Sequence, residues 1–204
     1  MTPKTRPPRR RTNDPEGLRR RVLDTAAALF QARGYANTAM HDISRGAGVT
    51  GGGMHHHFPT KKSVAIAVIR ERVREAVEET WIAPLRRAPT VRDGVAGVFR
   101  TIEDGLDGAG RVQGCPLNNL TLELSAVDPD LRSELEEIFA MWSATLAARI
   151  EADQHEGRLT NMSAQALATL IVAAYSGAMA MAKVQQRSTP LSVCARELDA
   201  HLLG

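Results

Sequence analysis

Apolar residues recur along this chain three and four positions apart, the period of helices buried on one face. Leu18, Val22, Ala26, Leu29 and Phe30 make the first such stripe. Asp14-Pro15 precedes it as an N-cap followed by proline at the first helical position, and Gly34 closes it as a left-handed C-cap. Thr38 is the next N-cap candidate, opening a short helix with Met40, Ile43 and Ala47 that Gly46 and Gly48 break. A third short segment spans 50–57 and ends at Phe58-Pro59, because the residue before proline is pushed out of the helical region. Thr60 caps a long helix carrying Ile66, Ile69, Val73, Val77 and Trp81, which Pro84 closes.

The remainder is also helical. One amphipathic helix covers 91–106, and Gly105, Gly108, Gly110 and Gly114 mark a loose loop. Cys115-Pro116 opens a short helix through Leu124. Asp128-Pro129 starts a helix with Leu131, Leu135, Ile138, Trp142, Leu146 and Ile150, ended by Gly157. Ser163 caps an apolar helix reaching about residue 186, and Pro190 or Ser192 starts the last one, to Leu203. No alternating strand pattern and no internal repeat is present. The pattern predicts an all-α fold of about nine helices. A three-helix unit occupies 14–60 and a larger helical bundle 61–204, behind a flexible basic arm at 1–13 with three prolines and the run Arg9-Arg10-Arg11.

A chain of 204 residues with 43% apolar and 24% charged positions is folded rather than disordered. No apolar run approaches the ~20 residues of a bilayer span, and no apolar stretch of a secretory signal follows the basic N-terminus. A cytoplasmic location with Cys115 and Cys194 reduced is therefore expected. The net charge of +3 is lopsided: residues 1–62 carry 12 Lys+Arg against 4 Asp+Glu, whereas 63–204 carry 14 against 19. The first segment thus points to a polyanionic partner, with a merely solvated basic tail as the alternative.

Two helices over 38–45 and 50–57, joined by Gly46-Ala47-Gly48-Val49, fit a helix-turn-helix. Ala47 suits a packed turn, Gly48 a left-handed position and Val49 a buried anchor. The second helix could enter a major groove and present its N-terminal side chains to base edges; a structural corner between two helices shares this spacing.

The stretch LRRRVLDTAAALFQARGYANTAMHDISRGAGVTGGGMHHHFPTKKSV resembles the DNA-binding domain of the TetR family of bacterial repressors. The resemblance rests on Ala26-Ala27, Leu29-Phe30, Gly34-Tyr35, Thr38, Asp42-Ile43, Ala47-Gly48-Val49, Gly52, Phe58 and Lys61, in order and spacing. It implies a homodimer on a near-palindromic double-stranded operator, with a C-terminal domain that binds a small-molecule effector and dimerises through its last two long helices. The family's recognition helix reads roughly Ser-Lys-Gly-Thr-Leu-Tyr-x-Tyr-Phe; here it is Thr50-Gly51-Gly52-Gly53-Met54-His55-His56-His57-Phe58. Gly51 in place of lysine removes a phosphate contact, and each glycine costs about 1 kcal/mol of helix propensity.

Thr38 and Lys61, at helix N-termini, are candidate phosphate contacts. Thr50, Met54 and His55 are candidates for base edges, and Gly51, Gly52 and Gly53 allow close backbone approach. His55, His56 and His57 can donate to phosphates, more strongly once cationic below about pH 6.5. Arg45 and Lys62 are flanking phosphate candidates, and Arg9-Arg10-Arg11 suits a minor groove or a solvated tail. Three consecutive helical histidines point about 100° apart and cannot converge on one metal, so no metal is expected. Neither a catalytic triad nor a phosphate loop suggests an enzyme, and no cofactor is expected.

In the bundle, Cys115 at a helix start is either a dipole-activated, electrophile-sensing thiol or a small buried hydrophobe. Asn118 and Asn119 are candidates for orienting a ligand, or for a helix-start role. Phe99, Leu122, Trp142, Tyr175 and Met179 are candidate pocket walls or plain core. Leu170, Ala174, Gly177, Ala178, Met181, Leu198 and Leu202 suit a dimer interface, or packing within the chain. A nonspecific DNA binder without an effector is the competing class; its affinity would hardly vary with sequence.

Overall fold

Every helix needs acceptors for its first N–H groups, and this chain supplies them as short polar side chains at the breaks in its apolar stripes. The computed structural model describes residues 14–159 and 162–201. The 1–13 arm, with Arg9, Arg10 and Arg11, and the interface candidate Leu202 lie outside the described residues. Among the described residues there are nine helices and no strand.

The N-terminal unit comprises α1 (Pro15–Arg33), α2 (Met40–Gly46) and α3 (Gly51–His57). A continuous helical rod, α4, follows: Lys61–Ala67, Arg74–Val77 and Ala83–Arg87 are α-helical, and the intervening Val68–Val73 and Glu78–Ile82 are π-helical. The bundle is completed by α5 (Val91–Gly108), α6 (Pro116–Leu124), α7 (Pro129–His155), α8 (Ala164–Gln185) and α9 (Thr189–His201).

Most expected caps are in place. Asp14 accepts from the Gly17 N–H at 2.8 Å, Thr60 from Ser63 at 3.0 Å, Asp128 from Asp130 at 2.9 Å and Ser163 from Ala166 at 3.2 Å. Gly34 and Gly48 take the positive φ their turns require, 85° and 65°.

Several expectations fail: Gly105 and Gly108, expected in a loop, lie within α5. Ala39, not Thr38, is the N-cap of α2; Thr38 is fully buried and its hydroxyl donates to the Gly34 carbonyl at 2.8 Å, closing the turn from inside. Pro84 does not end the long helix. The π-turn immediately before it shifts the hydrogen-bond register, so proline sits at the start of a new α-helical stretch where its missing N–H is tolerated. Finally, α8 is long and apolar enough to cross a bilayer by length and composition; here one side of it packs as a core helix against α7 and α9.

The two units are joined by charge as well as by packing. Arg19 of α1 forms a bidentate pair with Glu71, and Arg72 reaches Asp24 at 2.7 Å, fixing α1 along α4. Lys62 bridges Asp128 at 2.7 Å and Asp130 at 2.6 Å, tying the start of α4 to the start of α7. Buried Asp153 accepts from the Val91 N–H at 2.5 Å and pairs with Arg158 at 3.3 Å, which compensates its charge.

Lys62 holds the Asp128 carboxyl below the ordinary carboxylate range, chiefly through its hydrogen bond. A lowered folded pKa contributes stability above the unfolded value, about 3.9 for Asp, that is lost as pH falls through the folded value. Lys62→Met is therefore expected to lower Tm at neutral pH. The two melting curves should converge as the solution is acidified below about pH 4. Thermal denaturation at several pH values checks this.

Candidate functional site

Two sites emerge, one on the surface of the N-terminal unit and one inside the bundle. The first is the outer face of α3. Its helix forms despite three glycines because both ends are anchored. Thr50 accepts from the Gly53 N–H at 3.2 Å, while Met54 and Phe58, 2% and 3% exposed, plug the core beneath. That register leaves Thr50, Gly51, Gly52, His55 and His56 on the exposed ridge. His57 is half-buried, its ring 6.5 Å from that of Phe58.

Met54 is thus not on the outward face where a base-edge reader would stand; its i, i+4 relation to Phe58 turns it inward. Thr38, with its hydroxyl and N–H both spent on the preceding loop, likewise offers no phosphate contact. Lys62, occupied by two carboxylates, is drawn away from a flanking role. Lys61 lies 4.2 Å above the Tyr35 ring and donates to the Ala36 carbonyl at 3.2 Å, and burial lowers its pKa. Arg45 stays exposed, paired with Asp42 at 3.2 Å.

Beside α3 a polar hollow of about 480 Å³ is lined by Arg21, His56, His57, Gly53, Leu18 and Asp14. Arg21 was missed in the sequence because its place opposite α3 depends on how α1 crosses it. Among the described residues no cluster of three His, Cys, Asp or Glu could hold a metal ion.

The second site is a small aromatic cavity of about 40 Å³ between α4, α6, α7 and α8. Cys115, Trp142 and Tyr175 line it, together with Trp81, Thr80 and Leu117. The rings of Trp81 and Trp142 stand 4.8 Å apart, and Tyr175 lies 5.0 Å from Trp81. Phe99 is fully buried behind Trp81 and Tyr175, at 5.8 and 6.0 Å, and supports the wall without lining it. Trp81 reads as one more stripe residue in the sequence; the π-turn that carries it is a tertiary feature.

Cys115 is buried, and desolvation pushes its thiol up. The N–H groups of Asn118 and Leu117 pull the other way, as the helix-start argument expects, but burial outweighs them. Met179 is buried core outside the cavity wall.

Leu122, Asn118 and Asn119 point elsewhere than the cavity. Leu122 is 83% exposed, because α6 turns its other face inward. It lines an open apolar groove of about 520 Å³ with Asn118, Phe139, Ala173 and Ala180. Asn118 pairs there with Ser176, whose hydroxyl donates to the amide oxygen at 3.2 Å. Of the interface candidates, Leu170, Gly177 and Met181 are exposed and Ala174 is half-buried. Ala178 and Leu198, 1% and 4% exposed, are consumed by packing within the chain.

Asn119 and Glu123 connect α6 to the N-terminal unit. Asn119 donates to Gln31 of α1 at 2.9 Å, and Gln31 donates to the Gly114 carbonyl at 2.6 Å. The Glu123 carboxylate accepts the N–H groups of Tyr35 and Ala36, at 2.7 and 2.5 Å.

The described architecture matches known proteins over most of its length. Residues 22–68 match the family described as bacterial regulatory proteins, tetR family, and residues 92–197, just over half the chain, match the LmrA/YxaF-like transcriptional regulator C-terminal domain. The HTH-type transcriptional repressor DhaR of Mycobacterium sp. (strain GP1) is 27% identical, over 85% of this chain and 86% of its own. The HTH-type transcriptional regulator LmrA of Bacillus subtilis is 22% identical, over 85% and 90%. A crystal structure of a TetR transcriptional regulator from Chloroflexus aurantiacus superposes with a TM-score of 0.81 at 27% identity, covering 92% of this chain and 97% of that one.

A Cβ on Gly52 would meet nothing within 4 Å, so Gly52→Ala is expected to stabilise the fold by up to about 1 kcal/mol. Met54→Ala is expected to cost about 2–5 kcal/mol. His55→Ala is expected to leave stability unchanged while weakening DNA binding. Thermal melts beside a DNA titration separate these roles.

Proposed function

Since the chain belongs to the TetR family of bacterial transcriptional regulators, with a C-terminal domain of the LmrA/YxaF-like type, we propose that it is a cytoplasmic, homodimeric repressor. In this reading it holds a near-palindromic operator and releases it when a small molecule enters the aromatic cavity. The chemistry required is binding throughout; the relatives are transcriptional regulators.

One observation carries the effector half: α6 links the cavity to the helix-turn-helix unit. Its N-cap Cys115 and its first residues Pro116 and Leu117 wall the cavity, while Asn119 and Glu123 on the same short helix hold α1 and the loop after it. A ligand that displaces α6 therefore displaces the helix-turn-helix. Two recognition helices must stand about 34–36 Å apart to enter successive major grooves. A shift in their spacing lowers operator affinity. By linkage, the effector must bind the DNA-free conformation better than the DNA-bound one.

The dimer is supported by the outer face of α8. Leu170, Ala173, Gly177, Ala180, Met181 and Val184 form an exposed apolar stripe, small side chains interleaved with large ones, continuous with the groove beside Leu122. Small side chains let a second copy approach closely, and a two-fold axis would pair the stripe with itself. The DNA half is supported by the exposed ridge of Thr50, Gly51, Gly52, His55 and His56, by Arg45 and Arg21 nearby, and by the excess of cations over residues 1–62. Base edges would be met by Thr50 and His55, and phosphates by the imidazoles, Arg45 and the amide groups at the start of α3.

A mobility shift on the DNA upstream of the protein's own coding region, with unrelated competitor at about 0.15 M salt, tests the DNA half. A discrete complex that survives competitor is expected; a smear that tracks total DNA would overturn it in favour of nonspecific binding. Ala173→Arg, at the centre of the stripe, is expected to halve the mass seen by light scattering. Operator affinity should then fall on the order of 100-fold as avidity is lost. Glu123→Ala is expected to keep the dimer, to weaken the operator complex because the helix-turn-helix loses its fixed orientation, and to blunt any further fall in affinity caused by a ligand of the cavity.

A further inference from the structure

Helix α3 carries no permanently charged side chain. Its residues, Gly51–His57, include no Lys, Arg, Asp or Glu, and its ionisable groups are the imidazoles of His55, His56 and His57. Half of the six histidines of the chain thus stand in one short helix. His55 and His56 are exposed and His57 is half-buried. The charge of this helix is therefore set by protons alone, from none in base to a cation on each imidazole in acid.

The neighbours decide what those protons would serve. A carboxylate beside an imidazole would hold the proton in the free protein, leaving little to be gained from a partner. Among the described residues the one histidine paired with a carboxylate is His201 of α9, 3.3 Å from Glu197. The elements packed against α3 are α1 and α2. From α1, Asp14 and Arg21 line the polar hollow with His56 and His57. Asp14 is spent on the α1 cap, accepting from the Gly17 N–H at 2.8 Å. Arg21 is exposed and pairs with no carboxylate among the described residues. Arg19 lies 5.5 Å from the centre of the Phe58 ring and is neutralised by Glu71. On α2, His41 and Arg45 are exposed, and Asp42 is claimed by Arg45 and Arg33. The hollow, about 480 Å³, thus gathers one unpaired guanidinium and two imidazoles, and it is open to an anion.

We propose that operator binding by this chain is proton-linked: a backbone phosphate seats in the hollow against Arg21, His56 and His57, and the imidazoles of α3 take up protons as the complex forms. This rests on the operator-binding reading and specifies how that binding is regulated. Linkage sets the sign. A phosphate stabilises imidazolium over imidazole, so the complex holds more protons than the free protein. Affinity therefore rises as pH falls through the range near 6.5 where an imidazole ordinarily titrates. A lysine or arginine in the same place would attract phosphate equally across that range.

The test uses the full chain and a fluorescent duplex of the DNA upstream of its own coding region, with a scrambled duplex as control, at about 0.15 M salt throughout. Anisotropy titrations are expected to show binding at least roughly 10-fold tighter at about pH 6 than at about pH 8. Calorimetry in two buffers of different ionisation heat should register proton uptake on binding. His55→Asn with His56→Asn is expected to weaken the complex and flatten the profile, while His56→Lys should hold the acid affinity into base. Arg21→Gln should weaken binding at both pH values and keep the slope. These positions are exposed, and thermal melts confirm that each variant is folded. A sequence-specific complex of equal affinity at both pH values would overturn the linkage and leave the operator reading intact. A slope that survives the double asparagine variant would overturn its assignment to these imidazoles. No preference for the upstream duplex over the scrambled one at either pH would remove the operator reading, and this inference with it.

Discussion

The structure depends on one carboxylate. Past the end of α1 the backbone turns through Gly34, Tyr35 and Ala36, and the N–H groups of the last two have no helical partner. Glu123, far along the chain on α6, accepts both. Gly34 is doubly constrained there: its φ is 85°, and a Cβ would stand 3.1 Å from the Glu123 carboxylate. The orientation of the helix-turn-helix is thus set by a helix of the other domain. The Arg19–Glu71 pair and the Lys61–Tyr35 contact hold the same junction from the α4 side.

Because α6 is short, its two ends cannot move independently. One end is part of an aromatic wall whose rings are packed edge to face, and such packing rearranges between discrete arrangements rather than deforming smoothly. Opposite it, the π-turn Glu78–Ile82 carries Trp81, which lines the cavity. π-turns cost hydrogen-bond quality and recur at functional sites. Pro84, directly after this turn, is accommodated by the same shift of register.

The recognition helix shows tertiary contacts overriding propensity. Three glycines cost about 1 kcal/mol each in a helix interior. Burying Met54 and Phe58 contributes about 1.5–3 kcal/mol each, and the Thr50 cap about 1 more, so anchoring exceeds the penalty. The helix is held from below, while its outer surface is nearly bare backbone flanked by imidazoles. Lys62 illustrates the opposite case, a cation whose position suggested phosphate but whose neighbours Asp128 and Asp130 claim it.

Local rules were legible in the sequence wherever one residue decides an outcome alone. Asp14, Thr60, Asp128 and Ser163 cap because their short side chains reach the next turn, and Gly34 and Gly48 turn because only glycine enters that φ cheaply. The spacing of apolar residues determined that the chain is helical throughout, and the motif over 26–61 determined its family. What only the tertiary structure decided are pairings between distant segments. Met54 faces inward because α3 packs against α1, Thr38 because its hydroxyl is drawn to the Gly34 carbonyl, Leu122 faces outward because α6 turns its other side to the cavity, and Cys115 is neutral because burial excludes water from it. Periodicity fixes that a helix has a buried face but not which neighbour buries it, so Glu123 and Trp81 became identifiable as site residues only once α6 and α4 were brought against their partners.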